Sequence, residues 1–562
     1  MPKLTLDLSG QGGLAPRFYG DKFNSTSNVE ARVLGTDNMY ADGIVNPISK
    51  LGYLSPANNS VVAITGDDFI HGTIMSSEID PVNSKGYMFG MGATGGLSGA
   101  SGKRAYVYQL DIFGNEISTF VQKIPIDQIT SLQGTGLRKY MLNGVPYLYY
   151  SFRATGLSGA NTSDIGVFNL DGTYDNDWLS TACVDGFNLS SSANHRMIVA
   201  DNGYMYVLDG SFVHKVDGTT AGGVSGTVVP NVLAFPSQFQ CIDATDIRGK
   251  MWIAIMRSNR DLFNYYDRYG YYSEYCGVYI WDRKTTTSSF QDFIPITGVK
   301  EIRTIFQFRG IPYCITVSNL GHTQLRAFNG NIFEVVKELG LYSYPVFPDS
   351  VQLLDDCITW HGIDGIIYCY GKADPELGDA LHKIGDISVN KTAGYTYVGA
   401  AMLYGSYNND FSTYETPTCY VAYRESSGAT ITNKLKKWYP FRTDEISQSP
   451  NTGNFFTLVK PLPKLSNTKY LTIFFPKTGT SGLTPEFYIN IYFNQSATAW
   501  NSSPIAITRD DGARGYKTIP CAEQNVNSIQ LGITYNTDSN ISATKPTPQY
   551  AQLDYEETTK II

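Results

Sequence analysis

Two phrases recur in the same order six times along this chain, and that repetition limits what it can fold into more than any other feature. The first phrase is a glycine leading an aromatic or β-branched run: Gly86 Tyr87 Met88 Phe89, Gly144 Val145 Pro146 Tyr147, Gly203 Tyr204 Met205 Tyr206, Gly249 Lys250 Met251 Trp252, Gly310 Ile311 Pro312 Tyr313 and Gly365 Ile366 Ile367 Tyr368. Successive glycines lie 58, 59, 46, 61 and 55 residues apart. The second phrase is a four-residue run that begins and ends on an apolar residue and is closed by a turn residue: 107–110 before Asp111, 167–170 before Asp171, 213–216 before Asp217, 278–281 before Asp282, 325–328 before Asn329 and 381–384 before Gly385. Repeats of this length build solenoids, propellers or arrays. A unit of short strands without helical periodicity points to the four-stranded blade of a β-propeller.

The compact unit at 195–218 shows how a blade is written. Its spacing predicts strands over 196–199, 204–208 and 212–216, separated by Asp201 Asn202 Gly203 and by Asp209 Gly210. Such pieces suit tight hairpins because Gly, Asn and Asp tolerate positive φ. The first unit runs from about residue 61 to 121, and a weaker seventh unit, 399–404 with 419–423, favours seven blades over six. The expected organisation is all-β: an N-terminal extension over 1–55, a β-propeller of about seven blades over 56–440, and a C-terminal β-sandwich over 441–562. The extension has too few apolar positions for a core of its own, so it is expected to lie on another surface. Six alternating strand patterns between 455 and 533 suit an antiparallel sandwich, and the last dozen residues read as a tail.

At 562 residues the chain has room for two or three domains. Its 54 glycines, 40 tyrosines and 28 phenylalanines, with only 17% charged residues, suit a turn-rich β protein. The net charge of −8 and the lack of a basic run argue against nucleic-acid binding, which needs clustered Lys and Arg. No apolar run has signal-peptide or membrane-spanning length, so a soluble protein made in a cytoplasm, without membrane insertion, is expected. The cysteines at 183, 241, 276, 314, 357, 369, 419 and 521 form no CxxC pair. Cys314 and Cys369 sit inside apolar runs, where the thiol behaves as a small buried hydrophobe.

Catalytic signatures are missing. Within 92–102 the glycines resemble a phosphate loop, but Leu97 and Arg104 stand where that loop needs Gly and Ser or Thr. Asp355 with Asp356, and Asp510 with Asp511, are adjacent in sequence, whereas glycoside cleavage needs two carboxyls facing each other in space; both pairs read as turn residues. Asp111, Asp171, Asp217 and Asp282 read as turn caps. The histidines are isolated, and His214 and His382 share one position of the repeat. No HExxH, GxSxG or sialidase-type turn occurs. The sequence therefore assigns no catalytic, cofactor-binding or metal-ligating residue, and the chain is not expected to be an enzyme.

The most unusual insertion lies at 257–277. It places Phe263, Tyr265, Tyr266, Tyr269, Tyr271, Tyr272 and Tyr275 among Arg257, Arg260, Arg268, Asp261, Asp267 and Glu274. Tyr and Arg give large contact area at low entropic cost and dominate interface hot spots. The candidate interface is Phe263, Tyr265, Tyr266, Arg268, Tyr269, Tyr271, Tyr272 and Tyr275. Packing on its own domain, an intermolecular contact and stacking on a glycan are the three uses these residues leave open.

Residues Gly12 Gly13 Leu14, Arg17, the run 38–43 and Leu51 Gly52 Tyr53, ahead of a repeat of this kind, resemble the opening of a family of tailed-bacteriophage virion proteins of the β-propeller type. The resemblance covers about a tenth of the chain. It implies a structural tail component, nozzle or tail tip, located in the virion, contacting other tail proteins and forming a ring-shaped homo-oligomer. A glycan-binding receptor-recognition protein, directed at a host surface glycan, or a polysaccharide-cleaving tailspike is the competing expectation.

Overall fold

The computed structural model describes residues 2–8, 43–44, 55–56, 61–63, 73–169, 188–257, 276–386, 395–404, 419–438, 454–535 and 549–558, with shorter interruptions inside these ranges. The described chain is almost entirely β. Its repeats form separate antiparallel sheets, numbered I to VII in chain order. Five are meanders of four consecutive strands: sheet I from Thr73–Asp80 to Ile117–Gln122, III from Met197–Val199 to Thr227–Ala234, IV from Phe239–Ile247 to Phe293–Pro295, V from Val299–Phe308 to Phe333–Leu341, and VI from Val351–Leu354 to Ala380–Asp386. Sheet II has three described strands, Ile129–Leu142, Val145–Gly156 and Asp164–Asn169. Sheet VII takes Tyr395–Tyr404, Cys419–Ser427 and Thr430–Trp438, and borrows its fourth strand from far upstream, Val61–Ala63.

The first strands stand side by side in a circuit. I packs against II, II against III, III against IV, IV against V, VI against VII, and VII against I. Sheet V joins through the 3-10 turn Pro348–Ser350, which precedes the first strand of VI. That arrangement is a β-propeller. The apolar core lies between neighbouring sheets: Tyr149, Met197, Met205 and Val207 between II and III, Tyr206, Ile253 and Trp281 between III and IV, and Ile315, Ile358 and Trp360 between V and VI. Strands second in order are covered on both faces, as the wholly buried Met205–Asp209 and Cys357–His361 show. Runs such as Met205 Tyr206 Val207 Leu208 are apolar at every position for that reason.

Where seven complete blades were expected, the described residues give five four-stranded meanders, one sheet completed by a distant strand, and one three-stranded sheet. Residues 61–63 belong to the last sheet rather than to the first. Of the six repeat glycines, Gly144, Gly203, Gly249 and Gly310 sit at φ of 76–80° between first and second strands, where a side chain would be strained. Gly86 lies inside its strand, and Gly365 leads into the third strand of sheet VI. The phrase is thus displaced by one strand in VI. In VI the first and second strands are joined through residues 355–356, neither of which is glycine.

Beyond residue 454, seven strands and the N-terminal Lys3–Asp7 form one eight-stranded sheet. Lys460–Phe474 pairs with Val526–Tyr535 near its start, and farther along lies between Tyr516–Pro520 and Tyr550–Glu557. The sheet thereby folds around a single core that includes Leu471, Ile489, Leu531 and Leu553. Two expectations are corrected here. Lys3–Asp7 pairs with Tyr550–Glu557, from Lys3 opposite Asp554 to Asp7 opposite Tyr550, and Leu6 and Leu8 are buried in that core. These N-terminal residues are therefore an edge strand of the chain's own C-terminal sheet, and 550–557 is no tail. Leu4, Leu6 and Leu8 alternate with polar residues, a period of two that gives one strand an apolar face. The rest of the extension's quoted residues, 12–14, 17, 38–42 and 51–53, lie outside the described residues, as do Asp355 and Asp356. Asp511 caps the short helix Arg509–Arg514 reciprocally with Thr508, and Asp510 accepts from the Gly482 amide at 2.8 Å.

Arg309 and Gly310 both have positive φ, 49° and 76°. Gly310→Ala is expected to cost about 1–2 kcal/mol, read as roughly 5- to 30-fold faster amide exchange in the hairpin of sheet V, and Gly310→Asn is expected to lose less.

Candidate functional site

The centre of the ring is polar and charged. Asp349, in the 3-10 turn ahead of sheet VI, is buried, at 4% exposure. Its Oδ2 accepts from the Ser77 amide of sheet I at 3.0 Å and from Arg138 Nη1 of sheet II at 3.3 Å. Its Oδ1 accepts from Arg138 Nη2 at 3.1 Å and from Arg196 Nη1, at the start of sheet III. Arg196 Nε donates to Asp243 Oδ1 of sheet IV at 2.8 Å. Asp243 Oδ2 accepts from Thr304 Oγ1 at 2.7 Å and the Ile305 amide at 3.1 Å, both in sheet V. One continuous run of charge-assisted hydrogen bonds therefore links sheets I to V with the turn that leads into VI.

Along this run two guanidiniums meet the two aspartates, each of which also accepts a backbone amide, and Glu78 lies 3.9 Å from Arg138 Nε. Burial alone would raise the Asp349 carboxyl, but Arg138 and Arg196 outweigh it and hold it down to about 2. Burial opposes charge on Arg196 too, yet Asp349 and Asp243 hold it above the ordinary arginine range. The Asp349 carboxylate stays ionised at neutral pH, so it is an electrostatic clamp rather than a proton donor. Beside it, Lys139 Nζ reaches Asp80 Oδ1 at 2.6 Å, again joining I to II.

A second buried node lies between II and III. Asp209 accepts the Ser190 amide through both oxygens, at 3.1 and 3.0 Å. His214 Nε2 lies 3.3 Å from Asp209 Oδ2, and His214 Nδ1 accepts from the Asn231 amide at 3.0 Å. His195 Nε2 donates to the Ser190 carbonyl at 2.7 Å; burial lowers this imidazole to about 4 despite the nearby Asp209 carboxylate. Both rings are held by the sheet's own groups. Among the described residues no cluster of His, Cys, Asp or Glu has the makings of a metal site. Cys241, Cys276, Cys314, Cys357, Cys369 and Cys521 are buried, as small apolar side chains are. Asp282 accepts from the Lys284 and Thr285 amides at 2.9 and 3.0 Å, a turn cap as read.

The two ends of the ring differ. At one end stand the turns between first and second strands, aligned from sheet to sheet. Tyr140 Oη of II donates to the Gly203 carbonyl of III at 3.0 Å; Arg283 of IV donates to Asp201 of III and, at 3.0 Å, to Asp246 of its own sheet; Arg309 of V pairs with Asp379 of VI at 2.9 Å. Burial raises the Asp246 carboxyl, while the Arg283 hydrogen bond lowers that of Asp201. The second-to-third connections leave from the other end. They are short in III and V, where they span 210–211 and 319–321, and long in I, II and IV, where they span 94–102, 157–163 and 258–275. The candidate interface residues Phe263, Tyr265, Tyr266, Arg268, Tyr269, Tyr271, Tyr272 and Tyr275 fall in the last of these and lie outside the described residues. Their anchors are described: Met256 and Cys276 are directly paired, so the insertion leaves and re-enters sheet IV at that end.

Sequence reasoning found the insertion and missed the central network. Asp349, in Phe347 Pro348 Asp349 Ser350, stands outside the repeat phrases, 20 residues after Asn329 and 16 before Gly365, and its partners lie 153 to 272 positions away. The one usable signal was Asp243, a charged residue midway along an otherwise mostly apolar first strand.

On the chemistry of carboxyl groups, Asp164 stands apart: burial raises it to about 7, against the Ile165 amide that it accepts at 2.7 Å. A carboxyl tuned to that range is able to give up or take a proton near neutrality.

No protein-family model and no curated protein matches this sequence. Solved structures similar to it include an exo-β-1,3-galactanase from Phanerochaete chrysosporium, 8% identical over 89% of this chain and 99% of that one, with a TM-score of 0.32. A structure described as a glycoside hydrolase is 11% identical over 87% and 99%, at 0.25, and the Dos1 propeller is 10% identical over 66% and 94%, at 0.35. The expectation that the chain is not an enzyme is not retained: glycoside hydrolases stand among these similar structures, and a likeness of this degree assigns this chain neither an activity nor the lack of one. No helix among the described residues is long and apolar enough to cross a membrane.

Asp349→Asn removes one charge from between two arginines and is expected to cost about 3–5 kcal/mol near pH 7 in denaturant unfolding. The Asp349 carboxyl falls from 3.8 to about 2 on folding, so its contribution is complete above pH 4 and disappears as pH falls towards 2. The difference between wild type and variant is therefore expected to shrink by about 2 kcal/mol over that interval.

Proposed function

We propose that this chain is a carbohydrate-recognition protein, one that binds and, in the stronger form of the reading, cleaves a surface polysaccharide. The observation that carries the proposal is the placement of the aromatic insertion. The segment 258–275 leaves sheet IV at the end of the ring where the other long second-to-third connections emerge, on a frame whose centre is closed by buried ion pairs. In repeat architectures, insertions gathered on one face commonly form the binding face. Tyrosine rings offer flat apolar faces with a polar edge, and the Arg, Asp and Glu between them supply donors and acceptors for hydroxyl groups. We read the seven sheets as seven blades and the C-terminal unit as a β-sandwich.

The resemblance at Gly12–Gly13–Leu14, Arg17 and the run 38–43 supports a virion setting for that activity, made in a host cytoplasm and facing a host glycan. It also supports a second reading: a structural tail component held by contacts with other tail proteins in a ring of copies.

Replacing Tyr265, Tyr266 and Tyr269 together with Ser tests both. The carbohydrate reading expects the melting temperature to change by less than about 2 °C while retention on immobilised polysaccharide from the host surface falls at least tenfold. Unchanged retention, with loss of incorporation into particles, would transfer the loop to the structural reading.

A further inference from the structure

We propose that the N-terminal strand is an exchange element: Lys3–Asp7 of one copy completes the C-terminal sheet of a second copy. Four observations lead there. Among the described residues the strand sits at the sheet's edge and pairs on one side, with Tyr550–Glu557. Its hold is large for its length, because Leu6 and Leu8 are buried, Leu4 packs against the same core, the Leu8 amide donates to the Gln549 carbonyl at 2.9 Å, and Lys3 lies 3.8 Å from Asp554. Every one of these contacts is equally available to the same strand from another chain, which is the condition for exchange between protomers at low cost.

Reach is the third observation. Thirty-four residues separate Leu8 from Gly43, the next described position, and at about 3.3 Å per residue they span at most about 110 Å. That exceeds the size of a neighbouring domain. The fourth is order of synthesis. Lys3 is made more than 500 residues before its partner Asp554, so at roughly 5–20 residues per second its apolar face waits about half a minute to two minutes for a strand to pair with. During that interval a finished C-terminal sheet on a second copy offers the same groove. The occupant is thus a second copy of this chain, and the closing strand Val61–Ala63, which completes sheet VII, keeps each propeller closed independently of the exchange.

Thr5 is exposed and lies opposite the half-buried Gln552, so cysteines at these positions report the pairing at little cost to folding. The test co-expresses two differently tagged chains, one carrying only Thr5→Cys and the other only Gln552→Cys, and treats the purified protein with a short bismaleimide. Exchange is expected to give a crosslinked product containing both tags, at least tenfold above wild type, and Leu6→Asp in the Thr5→Cys chain is expected to remove it. A chain carrying both cysteines reports the other arrangement. If that chain closes on itself and the mixed single variants give no two-tag product, the strand belongs to its own copy and the proposal fails.

Discussion

Asp349 is one carboxylate on which the geometry of the ring depends. It is delivered by a single turn of 3-10 helix and touches backbone or side chains of sheets I, II and III, while Asp243 extends the same chain of bonds to IV and V. Apolar packing between sheets is strong but without direction; it accepts small slides and rotations. A guanidinium fixed between two carboxylates accepts few. Such a network costs desolvation, so its net value against a well-packed apolar centre is small, whereas removing one member is expensive. What it contributes is register: the inner strands meet at fixed heights, and with them the aligned turns at one end and the loops at the other.

That division of labour connects the centre to function. The turn end is tied from sheet to sheet by Tyr140, Arg283 and Arg309, each reaching a neighbouring sheet. The opposite end has the long connections. A loop recognises a ligand well when its two anchors do not move, and Met256 opposite Cys276 is such an anchor, one strand away from the strand that bears Asp243. The C-terminal sheet obeys a different constraint. Its edge is closed by a strand from the other end of the chain, so its completion is a matter of long-range pairing rather than of local hairpins.

Much of the propeller was legible because a repeat states its local rules several times. Gly203, Gly249 and Gly310 mark turns that need positive φ, and runs such as 205–208 are apolar throughout because both faces are covered. Reading failed where the determinant was non-local. The displaced phrase at Gly365 has the right residues in the wrong place of its sheet, since a turn needs glycine for its own backbone and not for its position in a blade. Leu4, Leu6 and Leu8 alternate as a strand should, yet nothing near them names a partner more than 500 residues away. The central ion pairs were invisible for the same reason: Arg138, Arg196, Asp243 and Asp349 belong to four different units, and only closure of the ring brings them together. The candidate interface was found from composition, which says what a loop is made of, and its placement came from the strands on either side.

The most direct test of the central role is a double-mutant cycle on Asp349 and Arg196, measured by denaturant unfolding of wild type, Asp349→Ala, Arg196→Ala and the double variant at pH 7. If the buried pair holds the ring, the two substitutions are strongly non-additive, with a coupling energy of about 1.5–3 kcal/mol. Additivity within about 0.5 kcal/mol would contradict it and would leave the apolar layers between the sheets to set the geometry alone.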